Sequence, residues 1–281
     1  MSLTTLLRLL QWGPRGNCEG RVRARHLRKP AARRRFVPRL VALEDRALPS
    51  TFTVTNLFDN GPGSLRQAVL DANAEPGRNE IEFARSVRGT IVLTSGQLSV
   101  TGDLEIDGPG AARLAVSGND AGRAFAISAG ATVTLAGLTI TGGLATDGAG
   151  ILNAGNLTLS QDVLADNVAQ GVAGGGLFGD GGGRGGGVAN QAGATLSVVH
   201  SRFASNQALG GPGGGNAFGG GIYNEAGTVT IDRSFFLANQ AVAGDGGAGR
   251  VTATPPAPPS PATAWLARKK LRSMVTVPAS L

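Results

Sequence analysis

With 281 residues, 45 Gly, aromatics at 5% and a single Cys, the chain excludes an aromatic-rich compact core, a disulfide framework and a cysteine-built metal site. Its net charge of +7 sits at the ends: residues 1–50 hold 12 Lys/Arg against 3 Asp/Glu, residues 51–250 hold 10 against 16, and residues 251–281 hold 4 against none. A basic nucleic-acid surface would therefore have to rest on the ends alone, and no nucleic-acid partner is expected. No apolar run approaches the ~18 residues of a transmembrane helix.

Residues 1–50 read as a basic, disordered leader with a targeting role. The run RVRARHLRKPAARRRF has no apolar period, and such runs stay solvated. Arg33, Arg34 and Arg35 have a twin-arginine flavour, but Glu44 and Asp45 interrupt the stretch that should be apolar. RRRFVPRLVALEDRALPSTFTV resembles the leader of planctomycete secreted or surface proteins, through Leu43, Glu44, Asp45, Arg46, Pro49 and Ser50 ahead of a first strand. That resemblance implies an extracellular or cell-surface location.

From Thr51 the text alternates with period two and predicts a strand. GPGSLRQAVLDANAEPG follows. Ser64 with Gln67 reads as a capping box, and Leu65, Ala68, Val69 and Ala72 make one helix face apolar. A helix over about 64–73, stopped by Pro76 and Gly77, would cover the open first coil of a solenoid.

Short strands recur from Ile81. Gly102, Gly130, Gly155, Gly193 and Gly227 each precede one, at gaps of 28, 25, 38 and 34 residues. Leu104 and Ile106, Val133 and Leu135, Leu157 and Leu159, Leu196 and Val198, and Val229 and Ile231 share one side of those strands. Alternation within strands plus repetition between them predicts stacked parallel strands with inward apolar columns. The long gaps carry GVAGGGLFGDGGGRGGG and LGGPGGGNAFGG, read as flexible loops inserted at one corner of a coil, which closure entropy tolerates. The fold class is thus all-β: a right-handed parallel β-helix over residues 51–250, with a short N-terminal capping helix and disordered termini. The hand follows the general bias of parallel crossovers.

The repeat unit appears three times. Gly150-Ile151 leads to Leu164 and Asn167, Gly187-Val188 to Phe203 and Asn206, and Gly221-Ile222 to Phe236 and Asn239. The pairing of Gly-Gly-apolar with Phe-x-x-Asn is similar to the repeats of the polymorphic outer-membrane protein family, and the helix element GSLRQA accords with it. That resemblance implies a right-handed β-helix at a cell surface, although no membrane barrel follows here.

Asn153, Asn190 and Asn224 occupy one repeat position, and Asn167, Asn206 and Asn239 another. Structural roles are expected: left-handed bends, backbone bonds or stacked ladders. Among acids, Asp103, Glu105 and Asp107 fall at alternate positions, the pattern of a solvated strand face or of a cation or glycan site. A polysaccharide lyase or glycoside hydrolase would need a carboxylate cluster with a proton acceptor, and His200 reads as a surface residue. No catalytic residue, metal or cofactor is assigned.

Residues 251–281 read as a Pro-rich, basic, disordered tail that replaces a further Gly-Gly-Ile coil, as in a truncated or frameshifted array or a genuine anchor. The expected function is a non-catalytic exported or cell-surface scaffold, adhesive or envelope-structural through its Gly-rich corners. Surface glycans or other proteins would be the partners. The rival is a β-helix that binds or cleaves acidic polysaccharides.

Overall fold

The computed structural model describes residues 49–173 and 181–245, together with the backbone of Val275–Val277. The leader at 1–48, the heart of the first Gly-rich insertion at 174–180 and most of the tail lie outside the described residues.

The chain winds as a parallel β-helix. Its first face stacks Thr51–Val54, Asn79–Phe83, Leu104–Asp107, Thr132–Ala136, Asn156–Ser160, Thr195–Val199 and Thr228–Asp232, all parallel. The second face stacks Gly89–Val92, Leu114–Ser117, Thr139–Thr141, Val163–Ala165, Arg202–Ala204 and Phe235–Leu237. The third stacks Leu98–Val100, Phe125–Ile127, Ile151–Asn153, Val188–Asn190 and Ile222–Asn224.

Register explains the core. On the first face Ile81, Ile106, Leu135, Leu159, Val198 and Ile231 are successive partners, and so are Leu104, Val133, Leu157, Leu196 and Val229. These are the residues whose alternation the sequence pattern places on one side, and nearly all are buried. In-register parallel strands put each side chain above its counterpart, so one apolar choice per coil builds a continuous column. A second-face column runs Val116, Ile140, Leu164, Phe203 and Phe236. The rings of Phe203 and Phe236 stack at 4.8 Å with 12° between their planes.

The helix spans Leu65–Ala74 and buries Leu65, Ala68, Val69 and Ala72 against the first coil. Ser64 caps it, its hydroxyl accepting from Gln67 N at 3.2 Å. The reciprocal half of the capping box does not form: the Gln67 amide donates to Asp71 Oδ1 at 2.7 Å. Ser64 N instead donates to Gly61 O.

The Gly-rich insertions depart from the expected flexible loops. Their described parts join the strands that flank them in a packed ledge at the corner between the second and third faces. Leu144–Ala145, Val168–Gln170, Gln207–Leu209 and Gln240–Val242 form one short parallel sheet, and Gly183–Arg184 pairs with Ala217–Phe218 in another. Ala149, Ala169 and Ala208 are buried in a small cluster beneath it. A Cβ on Gly183 would run into the carbonyl oxygens of Ala169 and Leu209, and one on Gly211 into those of Val172 and Gly181. Glycine is used here because backbones meet backbones, which suits an ordered surface.

At the other end of the stack the last strands of the second face and of the ledge have no further strand beside them among the described residues. Phe235, Leu237 and Val242 on the last coil are exposed. In the segment read as a disordered tail, the backbone of Val275–Val277 runs antiparallel along the last first-face strand, Val277 opposite Val229 and Val275 opposite Ile231.

Candidate functional site

Both Asn series point inward and form ladders along the solenoid axis. Asn153, Asn190 and Asn224 are register partners on the third face, in the column that Val100 and Ile127 fill in earlier coils. Asn153 Nδ2 donates to Asn190 Oδ1 at 2.7 Å, and Asn190 Nδ2 to Asn224 Oδ1 at 2.8 Å. Asn224 Nδ2 closes the series on Gly227 O. The second ladder is built the same way. Asn167 Nδ2 donates to Asn206 Oδ1 and Asn206 Nδ2 to Asn239 Oδ1, each at 2.9 Å. The backbone N–H of Asn167 and of Asn206 also donates to the next Asn oxygen, and each Asn amide reaches back to a carbonyl: Ile140, Leu164 or Phe203.

The left-handed conformation falls to the residue before each Asn of the second series. Asp166, Ser205 and Ala238 have φ of 57°, 55° and 54°. Their left-handed backbone turns the chain, while the Asn side chain satisfies the donors and acceptors that the bend strands. A parallel set, Gln161, His200 and Arg233, is left-handed at the bend between the first and second faces, with φ of 58°, 50° and 46°. His200 is exposed there, its Nε2 3.4 Å from Arg233 Nη1.

A third ladder escaped the sequence reading. Asp162, Ser201 and Ser234 each stand five residues before an Asn of the second series, a spacing that could have revealed them. Ser201 Oγ accepts from Asp162 N and Ser234 Oγ from Ser201 N, while Asp162 Oδ1 accepts from Leu138 N at 2.8 Å and Oδ2 from Ser160 N at 3.1 Å. Burial pushes the Asp162 carboxyl up to about 8, against the opposing pull of those two N–H donors.

Asp59 was likewise missed. It is buried and accepts from Thr94 N, Thr94 Oγ1 and Ser95 N, and from Arg66 Nε at 3.0 Å and Nη2 at 2.8 Å. Arg66 Nη1 continues to Gln97 O. Burial works to raise this carboxyl, but the donors together outweigh it and hold the group below its ordinary value. The pair ties the capping helix to the first coil.

The three candidate acids are separated by their tasks. Asp103 Oδ1 accepts from Thr132 N at 2.8 Å, bracing one coil on the next. Glu105 meets Arg78 at 2.7 Å across an exposed ion pair. Asp107 faces outward at the strand end, beside a cleft of about 390 Å³ lined by Glu82, Phe83, Arg85, Arg88, Pro109 and Arg113. Among the described residues no group of three or more His, Cys, Asp or Glu could hold a metal ion.

That cleft brings basic, acidic and apolar side chains together. It lies where the first face bends into the second, across two coils. Glu82 and Asp107 are register partners, and Gly89 N donates to Arg113 O at 2.9 Å, so stacking brings Arg88 beside Arg113. Buried Val87, with its N–H bonded to Ala84 O at 2.8 Å, anchors the turn carrying Arg85 and Arg88.

The chain matches no protein-family model, no curated protein and no solved structure. Its class is therefore set by its own geometry: a parallel β-helix solenoid with inward polar ladders. Among the described residues no helix is long and apolar enough to cross a membrane.

Proposed function

We propose that this chain is a non-catalytic scaffold, exported or displayed at a cell surface, with an adhesive or envelope-structural role. The observation that carries the reading is the fate of the repeated polar side chains. The Asn at both repeat positions turn inward and bond from coil to coil, so the repeat is spent on rigidity. The residues that carry the resemblance to polymorphic outer-membrane repeats, Gly187, Val188, Phe203, Gly221, Ile222 and Phe236, lie in or beside the same columns. The leader resembling those of planctomycete surface proteins supports export. The Gly-rich ledge supplies a fixed surface for contact with glycans or other proteins.

The rival reading, a β-helix acting on acidic polysaccharides, draws support from the arginine-lined cleft as regards binding. The test incubates the full chain with acidic and neutral polysaccharides, with and without calcium, and follows new reducing ends and unsaturated products. The scaffold reading expects none. Turnover abolished by Asp103→Ala, Glu105→Ala or Asp107→Ala would overturn it.

A further inference from the structure

The cleft at the bend between the first and second faces holds three exposed arginines, and no side-chain hydrogen bond or ion pair engages any of them among the described residues. Elsewhere the described arginines are mostly committed. Arg66 binds Asp59, Arg78 binds Glu105, and Arg123 donates to Asp147 O, Gly148 O and Gln97 Oε1. Three like charges gathered by coil stacking repel one another, and an anion between them relieves that repulsion. The body that carries them is acidic, with 10 Lys/Arg against 16 Asp/Glu over residues 51–250, whereas the cleft lining holds three Arg against two acids, Glu82 and Asp107.

The rest of the lining narrows the ligand. Glu82 and Asp107 enter the same cleft, in register on adjacent strands. Carboxylates there would repel a densely charged phosphate backbone, but they accept hydrogen bonds from hydroxyls. Half-buried Phe83 and Pro109 add apolar surface suited to the C–H face of a sugar ring. Guanidiniums for spaced anions, carboxylates for hydroxyls and an apolar patch are together the requirements of a polyhydroxylated polyanion. The rigid turns that present them favour recognition by a preformed site.

We infer that the cleft formed by Arg85, Arg88, Arg113, Glu82, Asp107 and Phe83 binds an acidic polysaccharide, its carboxylate or sulfate groups held by the arginines. The inference deepens the adhesive reading above, on which it rests, by naming the class of ligand and the place.

The test measures retention of the full chain on polygalacturonate, a chondroitin sulfate with one sulfate per disaccharide, neutral dextran and duplex DNA at about 0.15 M salt, where long-range attraction is screened. Wild type is compared with Arg88→Ala/Arg113→Ala, and with the charge-matched Arg202→Ala/Arg233→Ala at exposed sites elsewhere. The cleft variant is expected to lose about tenfold or more in affinity for an acidic polysaccharide, the loss expected when charge-assisted hydrogen bonds are removed. The control pair is expected to stay near wild type, and neutral dextran to be ignored. Preference between the uronate and the sulfated polymer identifies the anion held. Equal losses in both variants, no retention of wild type on either acidic polymer, or tighter retention on DNA would each overturn the inference. Thermal melts of both variants verify folding. Glycan turnover would instead sink the scaffold reading and leave the cleft result to stand alone.

Discussion

Replacing Asn190 with Ala cuts the middle rung of a buried ladder. Asn190 is fully buried; its oxygen accepts from Asn153 Nδ2, and its amide donates to Asn224 Oδ1 at 2.8 Å and to Ala194 O at 3.2 Å. Removal takes one donor from Ala194 O, which keeps its bond from Thr228 N at 2.8 Å, and one from the half-buried Asn224 Oδ1. Asn153 Nδ2 keeps its bond to Thr195 O at 3.0 Å, so its loss is partial. No group is left wholly stranded, so losing the bonds of this fully buried side chain should cost about 2 kcal/mol, inside the range of about 1–3 for a buried polar deletion. At the half-buried end of the ladder, Asn224→Ala should cost roughly 1 kcal/mol, since solvent can replace what it removes. Asn190→Asp should be worse than Ala at neutral pH, because a carboxylate would face the Asn224 oxygen and the Ala194 carbonyl, and should recover in acid as it protonates. Denaturant unfolding of the full chain, followed by circular dichroism, reads all three. Equal and small losses for Asn190→Ala and Asn224→Ala would mean that position along the ladder carries no energy and that the ladder does not stabilise the stack.

Asp162 sets a pH dependence. Its folded pKa of about 8 lies above the ordinary value of 3.8, so the folded state holds the extra proton between them. Stability should fall as pH rises from about 4 to about 8 and then level off; Asp162→Ser, the residue of the next two coils, should remove that slope in melts across pH. Asp59 acts oppositely: its stabilisation is present above its ordinary pKa and fades as acid protonates it, and Asp59→Asn should cost about 1–3 kcal/mol, because Arg66 loses its carboxylate but keeps Gln97 O and Gly96 O. Phe203 is 0% and Phe235 73% exposed, so Phe203→Ala should cost about 3–5 kcal/mol and Phe235→Ala under about 0.5 in the same unfolding assay. Gly183→Ala should disrupt the ledge by about 1–3 kcal/mol, whereas Gly193→Ala, with φ of +76° but open space, should cost only about 1 kcal/mol of backbone strain.

What the chain discloses before folding is its periodic part. The alternation of Leu104 with Ile106, and of Val133 with Leu135, is a local signal, and parallel stacking repeats it in register. The helix was legible because Ser64 and the apolar face of Leu65, Ala68, Val69 and Ala72 lie within ten residues or so of one another. The Gly runs were harder to read. Glycine serves both loose loops and crowded backbones, and only the nearness of Ala169 O and Leu209 O to Gly183 separates the two. At the bends the pattern left three roles open for Asn, of which the ladders and the backbone bonds form. Asn at a turn suggests left-handed backbone, yet Asp166, Ser205 and Ala238 take that conformation and leave Asn to bond across coils. The cleft was hidden because Arg88 and Arg113 meet only once Gly89 pairs with the coil above.

A rigid scaffold requires ladders that stay closed in the native state. Hydrogen exchange of the full chain tests this most directly. The amides of Asn167 and Asn206 donate to Asn oxygens one coil away, at 3.2 and 3.1 Å, inside the stack. They should exchange only through global unfolding, as slowly as the most protected first-face strands. Exchange of both as fast as that of exposed Ala192, at the tip of a turn, would contradict the scaffold and leave the Asn repeats free for another role.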